Sequence, residues 1–573
     1  MPVHNNDIAA IFYKMADLLE LEGANVFRIR AYRNAAATIL NISQNLEDMV
    51  RQEQDLSQLK GIGKDLAAKI HEIVFTGKLS QLQALEQRIH PGLVEFMHLP
   101  GLGPKKAALL QTMRITTLAQ LKHAAETGQL QQLAGFGPKT EQQILQAITA
   151  AETAPRRTRL FEAEYVANTV IPFLKKQPGV REVAAAGSFR RRKETIADLD
   201  LLAMTADTEV MEAFVNYPGA AKVLAHGETK SSIVLRNGLQ VDLRVLPEKS
   251  YGAGLQYFTG SKAHNIAIRT LGLQRKLKIN EYGVFRGEQQ IAGRTEAEIY
   301  GLLDLPYIEP ELREDQGEIQ AAQQGRLPKL VALAQIRGDL HSHTRETDGK
   351  DSLEEMAEAG RAKGYAYMGI TDHTQHVTVA SGMTPERVRE QIRHIDRVNQ
   401  RLQGIRILKG MEVDILDDSR LDLPDDILAR LDYTVCSVHY KFKLSSQEQT
   451  ERVVKAMGNP YFTILAHPTG RLLGERPGYD IDLERVLQTA RRFGCFVELN
   501  ADPTRLDLND VFCRRARDLG VLVAIDSDAH STWGLDNMRF GIGQARRGWL
   551  EADDVLNTRP LPELLKLLKQ RRT

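Results

Sequence analysis

From the N-terminus to about residue 150 the apolar positions recur at helical spacing, broken by short glycine turns and almost free of β-branched alternation. The texture changes around ETAPRRTRL (152–160), after which strand-like runs follow: VREVAAAGS, ADLDLLAM and IVLRNGLQVDLRVL. Asn237-Gly238 lies between two alternating runs and predicts a hairpin with a two-residue turn. Beyond residue 336, seven short apolar runs alternate with helical segments, ending QIRGDLH, YMGITDH, RILKGME, YTVCSVH, FTILAHP, CFVELN and VLVAIDSD. Seven strand–helix units predict a closed or nearly closed α/β barrel.

A phrase repeats in the helical region: LKGIGKDLAAKI, LPGLGPKKAALL and LAGFGPKTEQQIL. Each places a Gly-x-Gly turn (Gly61 and Gly63, Gly101 and Gly103, Gly135 and Gly137) before an amphipathic helix. One copy is explained by a tight helix–helix turn. Three copies point to backbone N–H groups presented to anions at helix N-termini. None fits the GxxxxGK[ST] pattern of a nucleotide P-loop.

Length and charge bound the reading. At 573 residues the chain exceeds one hydrophobic core, and 42% hydrophobic with 26% charged residues excludes a disordered or fibrous protein. No run is long and apolar enough for a membrane span, and three cysteines without metal-type spacing suggest a reduced, cytoplasmic setting. Net charge is +1 and evenly divided, so nucleic-acid binding must rest on local patches. One such patch is Leu255–Asn280, with Lys262, Arg269, Arg275, Lys276 and Lys278 and no acid.

Two clusters carry candidate chemistry. Asp198 and Asp200 alternate on one predicted strand face, and Asp242 lies in the neighbouring hairpin with Val241, Leu243 and Val245 turned to the core. Three converging carboxylates suit a pair of divalent cations for in-line phosphoryl transfer. Gly187-Ser188 just before them offers backbone amides to a triphosphate. The second cluster is in residues 336–573, which hold eight of the fifteen histidines. His341, His343, His373, His439, His467 and His530 stand at or just past strand ends, with Asp348, Glu412 and Asp528 in similar positions. Imidazole and carboxylate together suit zinc, manganese or iron, and a set this large implies two or three ions.

GSFRRRKETIADLDLL, VDLRVLP and YFTGSKAHNIAIR resemble the family X DNA polymerases, of nucleotidyltransferase fold. The resemblance implies that Asp198 and Asp200 hold both metals, Mg2+ or Mn2+, and that Asp242 completes the catalytic metal site. It implies triphosphate contacts at Gly187, Ser188 and Arg191, and a sugar-side wall of Tyr257, Phe258 and Gly260. It implies a minor-groove contact at Asn265 and a template contact at Arg269. Ala197 and Gln240 depart from the best-known members, which carry glycine and arginine there. The three glycine phrases resemble the helix-hairpin-helix motif, which grips DNA phosphates without reading sequence.

The N-terminal region resembles that family's small 5′-phosphate domain, with Arg28, Tyr32 and Arg33 as DNA contacts and Lys69 at its Schiff-base lysine. Asp65 stands where animal members have a phosphate-binding lysine, and one helical turn from Lys69 it favours an ammonium. HSH, TDH, GMEVD, SVH, AHP and SDAH resemble the PHP (polymerase and histidinol phosphatase) domain, with all nine metal positions filled. His376 and His394 stand outside that set.

The resulting plan is a multidomain chain. An all-α helix-hairpin-helix region comprises a lyase-like domain (1–90) and a duplex-binding subdomain (91–153). An α+β nucleotidyltransferase palm (154–250) and a nascent-base-pair subdomain (251–315) follow. A linker (316–335) then leads to a distorted seven-stranded PHP barrel (336–573), whose ions would be Mn2+ or Zn2+. The expected enzyme fills gaps in primer-template DNA with dNTPs and degrades 3′ ends, with a possible abasic-site activity. It is expected to be a monomer in the cytoplasm, associated with the nucleoid. Two readings stay beside it: a small-molecule phosphatase with a nucleotidyltransferase module, and a DNA end-binding scaffold with relict sites.

Overall fold

The computed structural model describes residues 5–39, 46–52, 54–59, 61–90, 92–97, 102–153, 157–205 and 207–569. It divides into one unit of residues 1–155 with 375–382, and another of 156–374 with 383–573.

The first unit is helical among its described residues, packed around Phe12, Tyr32, Ile70, Phe96, Leu110 and Ile144. The described parts of its glycine phrases lead into helices. Gly61 and Gly135 take left-handed backbone (φ +83° and +84°), which admits glycine at little cost. Gly63 and Gly103 cap the helices Lys64–Thr76 and Pro104–Thr112 without any side chain over the first amides, and Gly137 precedes Pro138–Thr153. Pro104 and Pro138 begin their helices, where the missing N–H costs nothing. Gly101 lies outside the described residues.

The second unit opens with the short pair β1 (Thr158–Arg159) and β3 (Thr195–Ile196) beside the strand β2 (Glu182–Ala185). With β4 (Asp198–Met204), β5 (Ala220–His226), β6 (Lys230–Leu235) and β7 (Gln240–Leu246), β2 forms a sheet of order β2-β4-β7-β6-β5. The β4–β7 pair is parallel and places Asp200 opposite Asp242 and Asp198 opposite Gln240. Val241, Leu243 and Val245 face the core as the alternation required. The β6–β7 turn is one residue longer than expected. Gly238 N–H donates to the Leu235 carbonyl, and Gly238 alone is left-handed (φ +86°) while Asn237 is not. A type I turn closed by a left-handed glycine replaces the two-residue turn.

Three antiparallel strands follow, β8 (Lys278–Asn280), β9 (Gly283–Arg286) and β10 (Gln289–Ala292). The stretch 316–335, expected as a linker, is instead folded onto them. Glu318–Gln323 is helical, Ile319 and Ala322 join the core of residues 253–312, and Glu318 is fully buried against His264 Nδ1 at 2.7 Å. A polar sequence hid this because its one charged anchor meets its partner inside the protein.

The barrel strands are β11 (Gly338–Asp339), β12 (Tyr367–Ile370), β13 (Arg406–Lys409), β14 (Glu412–Asp414), β15 (Val435–Ser437), β16 (Ile464–Leu465), β17 (Phe496–Asn500) and β18 (Val523–Asp526). All neighbours are parallel. The third predicted run divides at Gly410-Met411, giving two ladders, β11-β12-β13 and β14 to β18. Single bridges, His373 to Glu412 and Ser342 to Ala529, join the ladders at both seams. The ring has seven positions and is distorted where it closes.

Residues 157–322 and the barrel share a buried seam. Leu160, Leu506 and Phe540 form an apolar cluster with Phe161 and Phe189 against it. Trp549 of the barrel enters the core of residues 253–322. Fully burying one such side chain is worth about 1.5–3 kcal/mol, so the seam is not a loose contact. Ion pairs Arg471–Glu194 (2.7 Å), Arg546–Glu311 (2.7 Å) and Arg539–Glu164 (2.9 Å) rim it. No helix among the described residues is long and apolar enough to cross a membrane.

Candidate active sites

The carboxylate site is built on β4 and β7. Asp198 and Asp200 lie on the face opposite Leu199 and Leu201, which are fully buried in the sheet core. Gly187 abuts them with φ +60°, and a Cβ there would lie 2.2 Å from Asp200 Oδ2. Only glycine allows that approach. Burial, then the charges of Asp198 and Asp242, push the Asp200 carboxyl up to about 7. Asp198 is also raised, by burial and then by Asp242. Burial alone would raise Asp242 too. Hydrogen bonds from Lys230, Gln240 and Ser232 outweigh it and hold that carboxyl below its ordinary value. Three crowded carboxylates, two of them reluctant to ionise, are what a divalent cation relieves.

A cleft of about 570 Å³ gathers the remaining predicted residues. Gly187, Ser188, Arg191, Tyr257, Phe258, Gly260, Asn265 and Arg269 line it together with Asp198 and Asp200. Asn265 is fixed by donating to the Tyr257 carbonyl and accepting from Gln256. The sequence reading missed Lys262, which also lines the cleft, and Lys230, whose Nζ lies 2.8 Å from Asp242 Oδ2. Lys262 was visible as part of the acid-free patch. Lys230 was not, because only the β6–β7 register brings it to Asp242.

The nine residues of the histidine site also converge. Three groups have ligand atoms within 4.8 Å of one another: His343, Asp348, His373 and His530; His341, His343 and Asp528; His373, Glu412 and His439. His467 Nε2 joins Glu412 Oε1 at 3.0 Å. In the cluster, the buried ring nitrogens His343 Nδ1 and His467 Nδ1 have no hydrogen bond, while His373 Nδ1 lies 2.9 Å from Glu412 Oε2. Buried polar atoms are rarely left so, and imidazole nitrogens without a proton partner are what transition-metal ions bind. Burial and then the neighbouring His530 and His373 push the His343 imidazole down to about 4, whereas, against burial, the clustered carboxylates raise His341, His373, His439 and His530. His467 and Asp528 hold left-handed backbone (φ +24° and +52°), strain of the kind that gathers at functional sites. The cluster opens to solvent on one side, where Asp348 and His530 keep 32% and 38% side-chain exposure.

Orienting residues escaped the sequence reading. Glu498 Oε1 lies 2.6 Å from His341 Nδ1, and Asp414 Oδ1 lies 2.9 Å from His439 Nδ1. A carboxylate only accepts, so each fixes the proton on Nδ1 and turns Nε2 toward the cluster. Asn500 Nδ2 donates to Asp528 Oδ2. The one available signal was Glu498, an acid inside the apolar run CFVELN. His394 pairs with Glu354 away from the cluster.

In the first unit the expected DNA contacts divide. Arg28 is exposed and meets no acid among the described residues. Arg33 is paired with Asp17 and Glu20, so its charge is already engaged. Tyr32 is buried, its hydroxyl donating to Gln81, and is a core residue rather than a surface contact. Its ring lies 5.6 Å from Lys69 Nζ, and Lys69, 14% exposed, pairs with Asp65.

The fold and its two acidic centres define a polymerase-type nucleotidyltransferase joined to a metal-dependent phosphoesterase barrel. Family models match in that order: a helix-hairpin-helix domain at 3–79, a SAM-like helix-hairpin-helix tandem at 93–149, a DNA polymerase beta thumb at 254–314 and a PHP domain at 339–500. The chain is 39% identical over 574 residues to the DNA polymerase/3'-5' exonuclease PolX of Bacillus subtilis (strain 168), covering 99% of this chain and 100% of that one. The chain belongs to the bacterial family X DNA polymerases that carry a PHP domain. Two further relatives match part of the chain. A probable phosphatase of Thermoanaerobacter sp. (strain X514) is 28% identical over 38% of this chain and 89% of its own. DNA polymerase lambda of Arabidopsis thaliana is 26% identical over 54% of this chain and 62% of its own.

Proposed function

We propose that this enzyme fills short gaps during DNA repair, adding dNTPs to a primer end at Asp198, Asp200 and Asp242. It degrades or cleans 3′ ends at the histidine site. The carrying observation is the cleft that gathers eight of the family's expected nucleotide and template positions around Asp198 and Asp200. Arg191 and the Ser188 amide would hold the triphosphate, Tyr257 and Phe258 would wall the sugar, and Arg269 and Lys262 would face template phosphates.

Divalent ions at both sites supply the positive charge that phosphoryl transfer needs. The oxygen-only carboxylate set suits Mg2+, with Mn2+ as a substitute, whereas the imidazole-rich set suits two or three Mn2+ or Zn2+ ions. Asp242, held ionised by Lys230, Gln240 and Ser232, would complete the catalytic metal site beside the primer hydroxyl. At the histidine site, Glu498 and Asp414 fix the tautomers, and the open edge at Asp348 and His530 admits a strand end.

The glycine turns would grip duplex phosphates through bare helix amides, independent of sequence. Arg28 would supply charge to a gap's 5′-phosphate. The enzyme would act as a monomer on the nucleoid in the cytoplasm. Primer extension on a one-nucleotide gap, with and without dNTPs and in Mg2+ or Mn2+, tests the reading. Extension with nucleotides and shortening without them are expected. A protein that only retards DNA in all four conditions would be the scaffold instead.

A further inference from the structure

Arg191, which lines the nucleotide cleft, is held from both domains. Its Nε donates to Glu314 Oε1 at 3.0 Å, and the same oxygen accepts from Arg547 Nη1 at 2.9 Å. Arg547 Nη1 also donates to the backbone carbonyl of Arg191 at 2.8 Å, and Nη2 donates to Asp510 at 2.6 Å. Arg547 ends the barrel helix Met538–Arg547, and its side chain is 2% exposed. On the same helix a Cβ at Gly543 would sit 3.3 Å from Arg192 Cβ, so the helix lies flush against the loop that carries Arg191.

Two guanidiniums this close repel unless an anion stands between them. Glu314 is that anion. Burial alone would raise its carboxyl, but Arg191, Arg547 and Lys193 hold it below its ordinary value. The carbonyl contact fixes the Arg191 main chain while Glu314 fixes its side chain. Arg191 Nη1 also donates to the Thr259 carbonyl, so removing Arg547 frees the Arg191 main chain and takes one cation from Glu314 while the Thr259 contact remains.

We propose that Arg547, a barrel residue, is a positioning residue for nucleotide binding in the other active site. The inference rests on reading Arg191 as a triphosphate contact. An arginine set in place before the nucleotide arrives binds without the ordering cost that a free side chain must meet. Removing Arg547 should therefore weaken nucleotide binding more than it slows the chemical step. Its partners Glu314, Asp510 and the Arg191 carbonyl include none of the nine histidine-site residues, so the nuclease should be indifferent.

The test is single-nucleotide gap filling by full-length Arg547→Met and Arg547→Lys, with bis(p-nitrophenyl) phosphate hydrolysis as the control for the histidine site. We expect KM for dNTP to rise about tenfold in Arg547→Met with kcat within about twofold. Arg547→Lys should recover part of that rise, because an ammonium can still meet Glu314. Hydrolysis of the small phosphodiester should match wild type. An unchanged KM in folded Arg547→Met overturns the proposal, as does an equal loss of both activities, which would mark a purely structural residue. If Arg547→Met does not fold, Glu314→Gln keeps the shape and removes the anion, and it should raise KM likewise; an unchanged KM there overturns the proposal equally. Absence of incorporation by the wild-type enzyme would instead remove the polymerase reading, before any variant is compared.

Discussion

Lys230 Nζ lies 2.8 Å from Asp242 Oδ2, across the β6–β7 pair, while Gln240 Nε2 donates to the other carboxylate oxygen at 2.8 Å. Gln240 stands where the best-known family X members carry arginine, so the cation beside this carboxylate comes from the neighbouring strand. Lys230→Met should lower nucleotide incorporation about tenfold, the effect of one lost charge-assisted hydrogen bond. Adding Gln240→Arg to that variant should restore much of the rate. Steady-state gap filling checks both, and no recovery in the double variant would show that the charge is not what Lys230 contributes.

The two sites should be separable by mutation. Asp198→Ala or Asp200→Ala should abolish incorporation and spare 3′-end degradation. His341→Ala or Asp528→Ala should do the reverse, because each strips a member of the histidine cluster. Metal content measured beside both assays ties loss of function to loss of ions. Nuclease at wild-type rate with unchanged metal in His341→Ala would refute the assignment.

Gly187→Ala should silence the polymerase while leaving the protein folded. The new methyl would meet Asp200 Oδ2 at 2.2 Å on a backbone of φ +60°, so Asp200 must move. Loss of incorporation by 100-fold or more is expected on the order of a misplaced catalytic group. Intact hydrolysis of bis(p-nitrophenyl) phosphate and normal circular dichroism would show that the damage is local.

Asp200 also predicts a pH effect on stability. Folding raises its carboxyl from 3.8 to about 7. Between those values the folded chain binds a proton that the unfolded chain has released, so this group's contribution falls as pH rises through that window. Asp200→Asn removes the slope. Without metal above pH 7 the variant should therefore melt higher than wild type, and adding Mg2+ should stabilise wild type more than the variant. Thermal melts at pH 5 and pH 8 with chelator, then with Mg2+, give the comparison. An Asp200→Asn melting point below wild type at pH 8 would contradict it.

Lys69 should contribute little to strand cleavage at abasic sites. Its ammonium is paired with Asp65 and lies over the Tyr32 ring, whereas a lyase needs a free amine. Cleavage should need divalent metal, stop with chelator and survive Lys69→Ala. A borohydride-trapped adduct lost in Lys69→Ala, with cleavage independent of metal, would reverse the ranking.

The two candidate ligand clusters were legible because they come from short patterns. Alternation placed Asp198 and Asp200 on one face, and strand ends placed the six histidines on one rim. What escaped was long-range. Lys230, Glu498 and Asp414 act through partners on other strands, and a periodicity argument carries no register between strands. Tyr32 illustrates the opposite error: a residue matched to a binding position by resemblance was drawn into the core by its helix face. The stretch 316–335 was misread because polarity was taken for exposure, when Glu318 is buried with His264 as its partner.

Trp549 should keep the two parts of the chain together if the backbone between them is cut. It seats a barrel side chain in the hydrophobic interior of residues 253–322, with Arg514 stacked on its ring at 4.0 Å. Arg326 lies exposed in the connecting stretch. A protease that nicks there severs the backbone but none of the packing across the seam. The fragments should elute together from a sizing column, and two separately expressed halves divided at that point should reassemble into one working enzyme.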